Sequence, residues 1–271
     1  WTVWTAILRL LMKRFIRDIK KYFGFSVVSA KAQLKSEVAN SYLNWLWWIL
    51  DPICFMLIYT FIFGYVFKAK EPYFPIFIFI GLSMWDFFNR MINQSVRIVK
   101  TNKPIVSKVY LPKYILVLTK VWVNSFKMMI SFAIVILMMI FWRVPFTYKI
   151  IYTIPTLLLL LLFTFACSLW LLHYGVFVED LSNVITIVLR MLFYLTGIFY
   201  NVATRIPAPY GELLTRYNPM AFFLECMRNS LLYGKIPHRK LMLAWFVVSI
   251  ILAGTGIRKI YKNENSYVKV I

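Results

Sequence analysis

The sequence predicts an all-α integral membrane protein. It should have six transmembrane helices, an N-terminal amphipathic interfacial helix and re-entrant helical segments before the last span. Three observations predict this. Of 271 residues, 61% are hydrophobic and only 15% charged, with a mean hydropathy of +0.71; a soluble domain is about 45–50% apolar and about 25% charged. That excludes an ordinary soluble fold, and the apolar content is too high for disorder. Six apolar stretches reach or approach the roughly 20 residues that cross a bilayer core about 30 Å thick. The 31 Lys+Arg against 10 Asp+Glu give a net charge of +21. In a soluble chain such a charge would point to nucleic acid, but here it is read as membrane topology, with no nucleic-acid partner expected.

The chain divides at about residue 40. Within region 1–40, Trp1–Phe23 carries Ile7, Leu11, Phe15, Ile19 and Tyr22 at helical spacing, with Arg9, Lys13, Arg17 and Lys20 on the opposite face. This is a basic amphipathic helix suited to lie in the membrane interface, or alternatively to pack on a partner subunit. It is too charged for a secretory signal peptide. Region 41–271 forms the transmembrane domain, with spans near 43–67, 73–92, 114–142, 150–178, 184–200 and 241–257. Asp51-Pro52 interrupts the first span and should kink it, because proline removes a backbone donor. Trp45, Trp47 and Trp48 suit an interfacial aromatic belt.

Two intervening regions are unlike plain loops. Region 94–113 is short and basic yet apolar at Ile98, Ile105, Val106 and Val109, the pattern of a segment that docks a partner. Region 201–233 is long, apolar and proline-broken. Met220–Tyr233 reads as a short helix ended by Gly234, and Asn218-Pro219 breaks the chain before it. It is read as an external re-entrant gate, with an external cap that never enters the bilayer as the other possibility.

With both termini cytoplasmic, eighteen of the basic residues fall on the inside, in 1–42, 94–120 and the tail. Ten fall outside: Lys68, Lys70, Arg143, Lys149, Arg205, Arg216, Arg228, Lys235, Arg239 and Lys240. Arg90, Lys127 and Arg190 remain at membrane depth. The external and buried cations would suit an acidic cargo. Asp86 and Arg90 are four apart on one helix face and read as an ion pair; neither Asp51 nor Asp86 has a partner set that suggests a proton relay.

Little points to catalysis. There is no Gly-x-x-x-x-Gly-Lys-[Ser/Thr] phosphate loop and no Gly-x-Ser-x-Gly elbow. Cys54, Cys167 and Cys226 are scattered, and His173 and His238 are distant, so neither a disulfide framework nor a metal site is expected. The chain is read as a non-enzymatic transport subunit powered from outside itself.

Several motifs, taken in order, resemble those of the membrane subunits of ABC-2-type exporters of polysaccharides, O-antigen and teichoic-acid-like polymers. Ser41, Leu43, Asn44, Trp47, Leu50 and Pro52 match the opening of the first span, with Asn44 where the family has Gly. Gly81, Leu82 and Trp85 match the second span; Asn102, Ile105, Val106, Lys108, Val109, Leu111 and Pro112 match the cytoplasmic stretch. Glu179-Asp180 stands where the family often has Arg-Asp, and Asn218-Pro219 with Arg228 matches its Asn-Pro…Arg pattern.

The resemblance implies a multi-pass protein of the bacterial cytoplasmic membrane. Two copies of it would pair with two nucleotide-binding ATPase subunits, which would hold ATP and Mg; this chain would carry no cofactor. The cargo would be an undecaprenyl-linked glycopolymer, with membrane lipid around it. Lys100, Asn102, Lys103, Pro104, Ile105, Lys108, Tyr110 and Pro112 would receive the ATPase motion. Tyr59, Trp85, Phe88, Arg190, Tyr194, Phe199 and Tyr200, on or beside the first, second and fifth spans, would line the translocation path. Asn218, Pro219 and Arg228 would belong to the outer gate. The other cargo kept open is a drug or small lipid.

Overall fold

The computed structural model describes residues 2–39, 43–69 and 71–270. Ser41 and Lys70 lie outside the described residues, as do the side chains of Ile7, Arg9, Leu11, Asn44 and Lys269. The described residues form helices and connecting turns, with no strand among them. In chain order the helices are α1 (Thr2–Val38), α2 (Trp47–Tyr59), α3 (Phe74–Thr101), α4 (Lys103–Val106), α5 (Tyr114–Phe141) and α6 (Thr153–Phe177). Then follow α7 (Leu181–Leu195), α8 (Val202–Arg205), α9 (Tyr210–Tyr217), α10 (Pro219–Leu231), α11 (Arg239–Lys262) and α12 (Glu264–Val270).

Among the described residues five helical stretches are long and apolar enough to cross a membrane: Trp47–Val66, Phe74–Thr101, Tyr114–Phe141, Tyr148–Phe177 and Arg239–Lys262. The stretch expected as a span at 184–200 is the shorter helix α7, of 15 residues, or about 22 Å by helical rise. It stops at Leu195 because the chain turns back at Gly197, whose φ of +73° is a left-handed conformation that suits glycine. The second span runs past its expected end at 92 to Thr101, so residues 94–101 of the 94–113 region are a continuation of α3.

The first span continues as α-helix through Pro52, the position where the sequence reading places a kink. Pro52 is the sixth residue of α2, inside the helix, where it removes the backbone bond to the Trp48 carbonyl. The irregular part comes later, where Thr60–Val66 winds as a π-helix.

α3 is the central helix. It packs on α6 and α5, and α6 packs on α11. In its apolar window 78% of α3 is buried inside the chain, against 11% for the first span. Gly175 lets α6 and α3 approach: a Cβ there would lie 2.0 Å from the Val96 carbonyl oxygen. Trp170 Nε1 donates to the Leu252 carbonyl at 3.0 Å and ties α6 to α11.

α1 is one helix of 37 residues, longer than the expected amphipathic stretch, and it packs on α5 of its own chain. Phe15 meets Tyr114 at 5.2 Å and Phe23 meets Trp122 at 5.7 Å between ring centroids. Phe15, Ile19 and Tyr22 pack against the core, while Lys13, Arg17 and Lys20 are exposed. Of the expected apolar stripe, Phe15, Ile19 and Tyr22 are thus covered by this chain's own helices, while Ile16, Phe25 and Val28 of α1 stand exposed.

Candidate functional site

Region 94–113 begins as the last two turns of α3. There Lys100 pairs with Glu179 at 3.8 Å and Arg97 donates to Ser182 Oγ at 2.8 Å. Asn102 closes α3 by donating from Nδ2 to the Ile98 carbonyl at 2.7 Å. Its own carbonyl accepts from Ile105 and Val106, starting the single turn α4 with Pro104 in its first turn. An asparagine followed by Lys-Pro therefore turns the chain sharply, one helix ending where the next starts. Of the apolar positions read as docking residues, Ile98 and Val106 are buried in the chain's own core. Ile105, Val109 and Tyr110 stand exposed beside exposed Lys103, Pro104 and Lys108, whereas Leu111 and Pro112 are buried.

Tyr110 also faces inward through its hydroxyl. Arg14 of α1 donates to the Tyr110 hydroxyl at 2.7 Å and to Glu264 Oε2 at 2.8 Å. The Tyr110 hydroxyl donates to Glu264 Oε1 at 2.9 Å. Burial and the facing Glu264 carboxylate raise the Tyr110 hydroxyl above its ordinary pKa, so it remains a donor. Next to it Asp18 accepts from Tyr261 at 2.9 Å, and the Tyr261 and Tyr114 hydroxyls lie 3.1 Å apart. Lys113, just before α5, is buried and its ammonium is pushed below the ordinary lysine range by that burial. The N-terminal helix, the 102–113 segment and the C-terminal helix thus meet at one end of the bundle.

The residues expected along a translocation path separate into two groups. Trp85, Arg190 and Tyr194 line one groove of about 280 Å³ between α3 and α7, with Asn89, Asn93, Thr186, Leu189 and Phe193. Tyr59 and Phe199 meet at 4.7 Å, and Tyr200 donates to the Tyr194 carbonyl at 2.8 Å. Phe88 and Phe199 are enclosed: Phe88 stacks on Phe163 at 6.4 Å, and Phe199 stacks on Phe63 at 4.4 Å. In this conformation those two rings hold helices together, since a ring covered on both sides has no free face for a sugar.

Arg228 was counted among external cations, and the structure corrects this. It is only 5% exposed. Its guanidinium donates to the Phe77 carbonyl from Nε at 3.3 Å and from Nη2 at 3.1 Å. It also donates to Gly197 at 2.8 Å and Ile198 at 2.9 Å, and it lies 3.4 Å over the Phe77 ring. Among the described residues no carboxylate bonds it; the neutral carbonyls of Phe77, Gly197 and Ile198 take up its donors. The nearest room for it is made by Gly81, where a Cβ would fall 2.8 Å from Arg228 Nη2. Asn218 caps α10 by accepting from the Met220 and Ala221 amides at 3.0 and 3.3 Å. Pro219 follows at the first helical position, where its missing donor costs nothing. Phe223 of α10 meets Phe163 at 5.7 Å, ten residues into α6 and so about 15 Å along it by helical rise.

Two polar contacts escape the sequence reading. Arg90 is shared: it lies 3.8 Å from Asp86 and 3.8 Å from Asp51, so Asp51 has a partner on another helix. They line a cavity of about 320 Å³ with Trp47, Trp48 and Lys127. Lys127 pairs with Glu37 of α1. Neither contact has a local sequence signal, because each joins helices far apart in the chain.

Comparison with known proteins gives a consistent picture. The family described as ABC-2 type transporter matches residues 27–232. The O-antigen export system permease protein RfbA of Myxococcus xanthus is 24% identical over 242 residues, covering 89% of this chain and 93% of that protein. Its namesake in Klebsiella pneumoniae is 24% identical over 250 residues, with 92% and 95% covered. The polysialic acid transport protein KpsM of Escherichia coli is 25% identical over 225 residues, with 79% and 85% covered.

Proposed function

Because this chain belongs to the ABC-2 type transporter family, we propose that it is the permease subunit of an ATP-driven exporter of cell-surface polysaccharide. The observation that carries the reading is end-to-end similarity to permeases named for O-antigen and polysialic acid export. The cargo is a polysaccharide or teichoic-acid-like polymer carried on an undecaprenyl lipid. Two copies of the chain assemble with two nucleotide-binding subunits in the bacterial cytoplasmic membrane. Both termini and the 102–113 segment face the cytoplasm. In support, α1, that segment and α12 gather at one end of the bundle.

The exposed Lys103, Pro104, Ile105, Lys108 and Val109 form the surface that the ATPase subunits push on. The groove of Trp85, Asn89, Asn93, Arg190 and Tyr194 faces the path and offers an aromatic face plus amide and guanidinium donors, which suit sugar hydroxyls and phosphates. Region 201–233 re-enters the membrane as the outer gate; the depth of Phe223 against Phe163 supports this. Co-purification with the nucleotide-binding subunit and reconstitution test the reading. ATP hydrolysis and polymer movement are expected only with both subunits present. Transport by this chain alone, without ATP, refutes it. Mutation of Tyr59, Trp85 and Tyr200 to Ala with export unchanged in all three refutes the path assignment.

A further inference from the structure

Glu264 lies in the first turn of α12, at the far end of the chain from Arg14 and 154 positions after Tyr110. The three side chains close a ring of hydrogen bonds in which each touches the other two, at 2.7, 2.8 and 2.9 Å. Two corners of that ring are fixed and one is less so. Glu264 is fixed because α12 is anchored through Tyr267, which is fully buried and whose hydroxyl lies 2.7 Å from His173 Nδ1 of α6. Glu264 and Tyr267 are three apart, so one helix face carries both contacts. Arg14 is fixed because its guanidinium lies 4.1 Å over the Tyr261 ring and 3.7 Å from Asp18. Tyr110 is the less fixed corner: it is 56% exposed, follows α4, and has one further tie to α1, its carbonyl accepting from the Tyr22 hydroxyl at 3.4 Å.

We propose that Glu264 and Arg14 are positioning residues for the 102–113 segment. They grip the Tyr110 hydroxyl so that a displacement of this segment moves α1, and through α12 also α6, as one unit. The inference rests on the reading of 102–113 as the surface that the ATPase subunits push. All three contacts are charge-assisted, through the Arg14 guanidinium, the Glu264 carboxylate or both, which makes them shorter and stronger than neutral pairs. A hydroxyl held from both sides transmits a push and a pull; a purely apolar contact would slip. Packing alone does not need this arrangement, because Leu111, Pro112 and Tyr114 already bury the end of the segment.

The test uses the complex of this chain with its nucleotide-binding subunit in proteoliposomes. It compares Tyr110→Phe, Glu264→Gln and the double variant, all near-isosteric. Each single variant is expected to lower polymer translocated per ATP about tenfold, with ATP hydrolysis unchanged and the melting temperature lowered by no more than a few degrees. The double variant is expected to be no worse than the worse single one, since all three remove the same ring. Unchanged coupling in both singles overturns the inference, as do losses that multiply in the double. A proportional fall of hydrolysis and translocation together also overturns it, since that marks lost assembly rather than lost positioning. If the wild-type complex itself shows no ATP hydrolysis, the proposed function fails and the positioning role falls with it; a coupled wild type with indifferent variants sinks the positioning role alone.

Discussion

Gly81 and Arg228 show how one residue type can be dictated by another that is 147 positions away. The guanidinium fills the space where a side chain at 81 would stand. Gly81→Ala is therefore expected to cost about 1–3 kcal/mol through overpacking, seen as a lower melting temperature of the detergent-purified protein. Arg228→Met keeps much of the bulk but leaves the Phe77, Gly197 and Ile198 carbonyls without their donor, at about 1–3 kcal/mol for each one that water cannot reach. Arg228→Lys should also fail, because a point ammonium cannot serve three carbonyls in a fork. A lysine variant with wild-type melting would contradict this account. The role of Arg228 in the sequence could be read only as a matched motif. That it is buried, and that Gly81 makes its room, has no signature in spacing.

At the level of elements, caps and long-range pairs govern different parts of the fold. The Asn218 side chain satisfies two amides at the start of α10, so Asn218→Ala should lower stability by about 1 kcal/mol, as for other lost N-caps. A melting shift of zero would argue that water replaces the cap. α1 is bound to α5 by Glu37 and Lys127. Glu37→Gln leaves a lysine facing the helix pair without its counter-charge, and it should destabilise more than the double change Glu37→Gln with Lys127→Met. A double-mutant cycle on thermal unfolding measures the difference. The helices themselves were legible, since hydropathy and length show in a window of residues. Their ends were less so: α3 runs on to Thr101 because charged residues continue its helix beyond the apolar part. α7 ends early because Gly197 turns the chain. α12 has no signal of its own in the sequence, since its docking depends on Tyr267 reaching His173, 94 residues away.

For the whole molecule, the net charge of +21 takes on a different meaning. Several of the cations read as external are already engaged: Arg228 inside the bundle, Lys149 on the Gly234 carbonyl at 2.6 Å, Arg239 on Tyr152, and Arg216 beside Glu212. That leaves less of the charge for an acidic cargo. The first span is the opposite case, with Phe55, Leu57, Ile58, Phe61 and Tyr65 all exposed. An apolar helix with so little of itself covered is completed by lipid or by a second copy. In a variant lacking Cys54, Cys167 and Cys226, a single cysteine at Leu57 or Phe61 is expected to cross-link two copies in membranes. Absence of cross-linking at both positions would place that face against lipid instead. The buried arginine has one more consequence, for biogenesis. The carbonyls of Phe77, Gly197 and Ile198 are all made before residue 228 leaves the ribosome. α3 and the turn after α7 that carry them can therefore be in place when the guanidinium arrives, and the docking of α10 becomes a late check that the earlier part of the chain has assembled correctly.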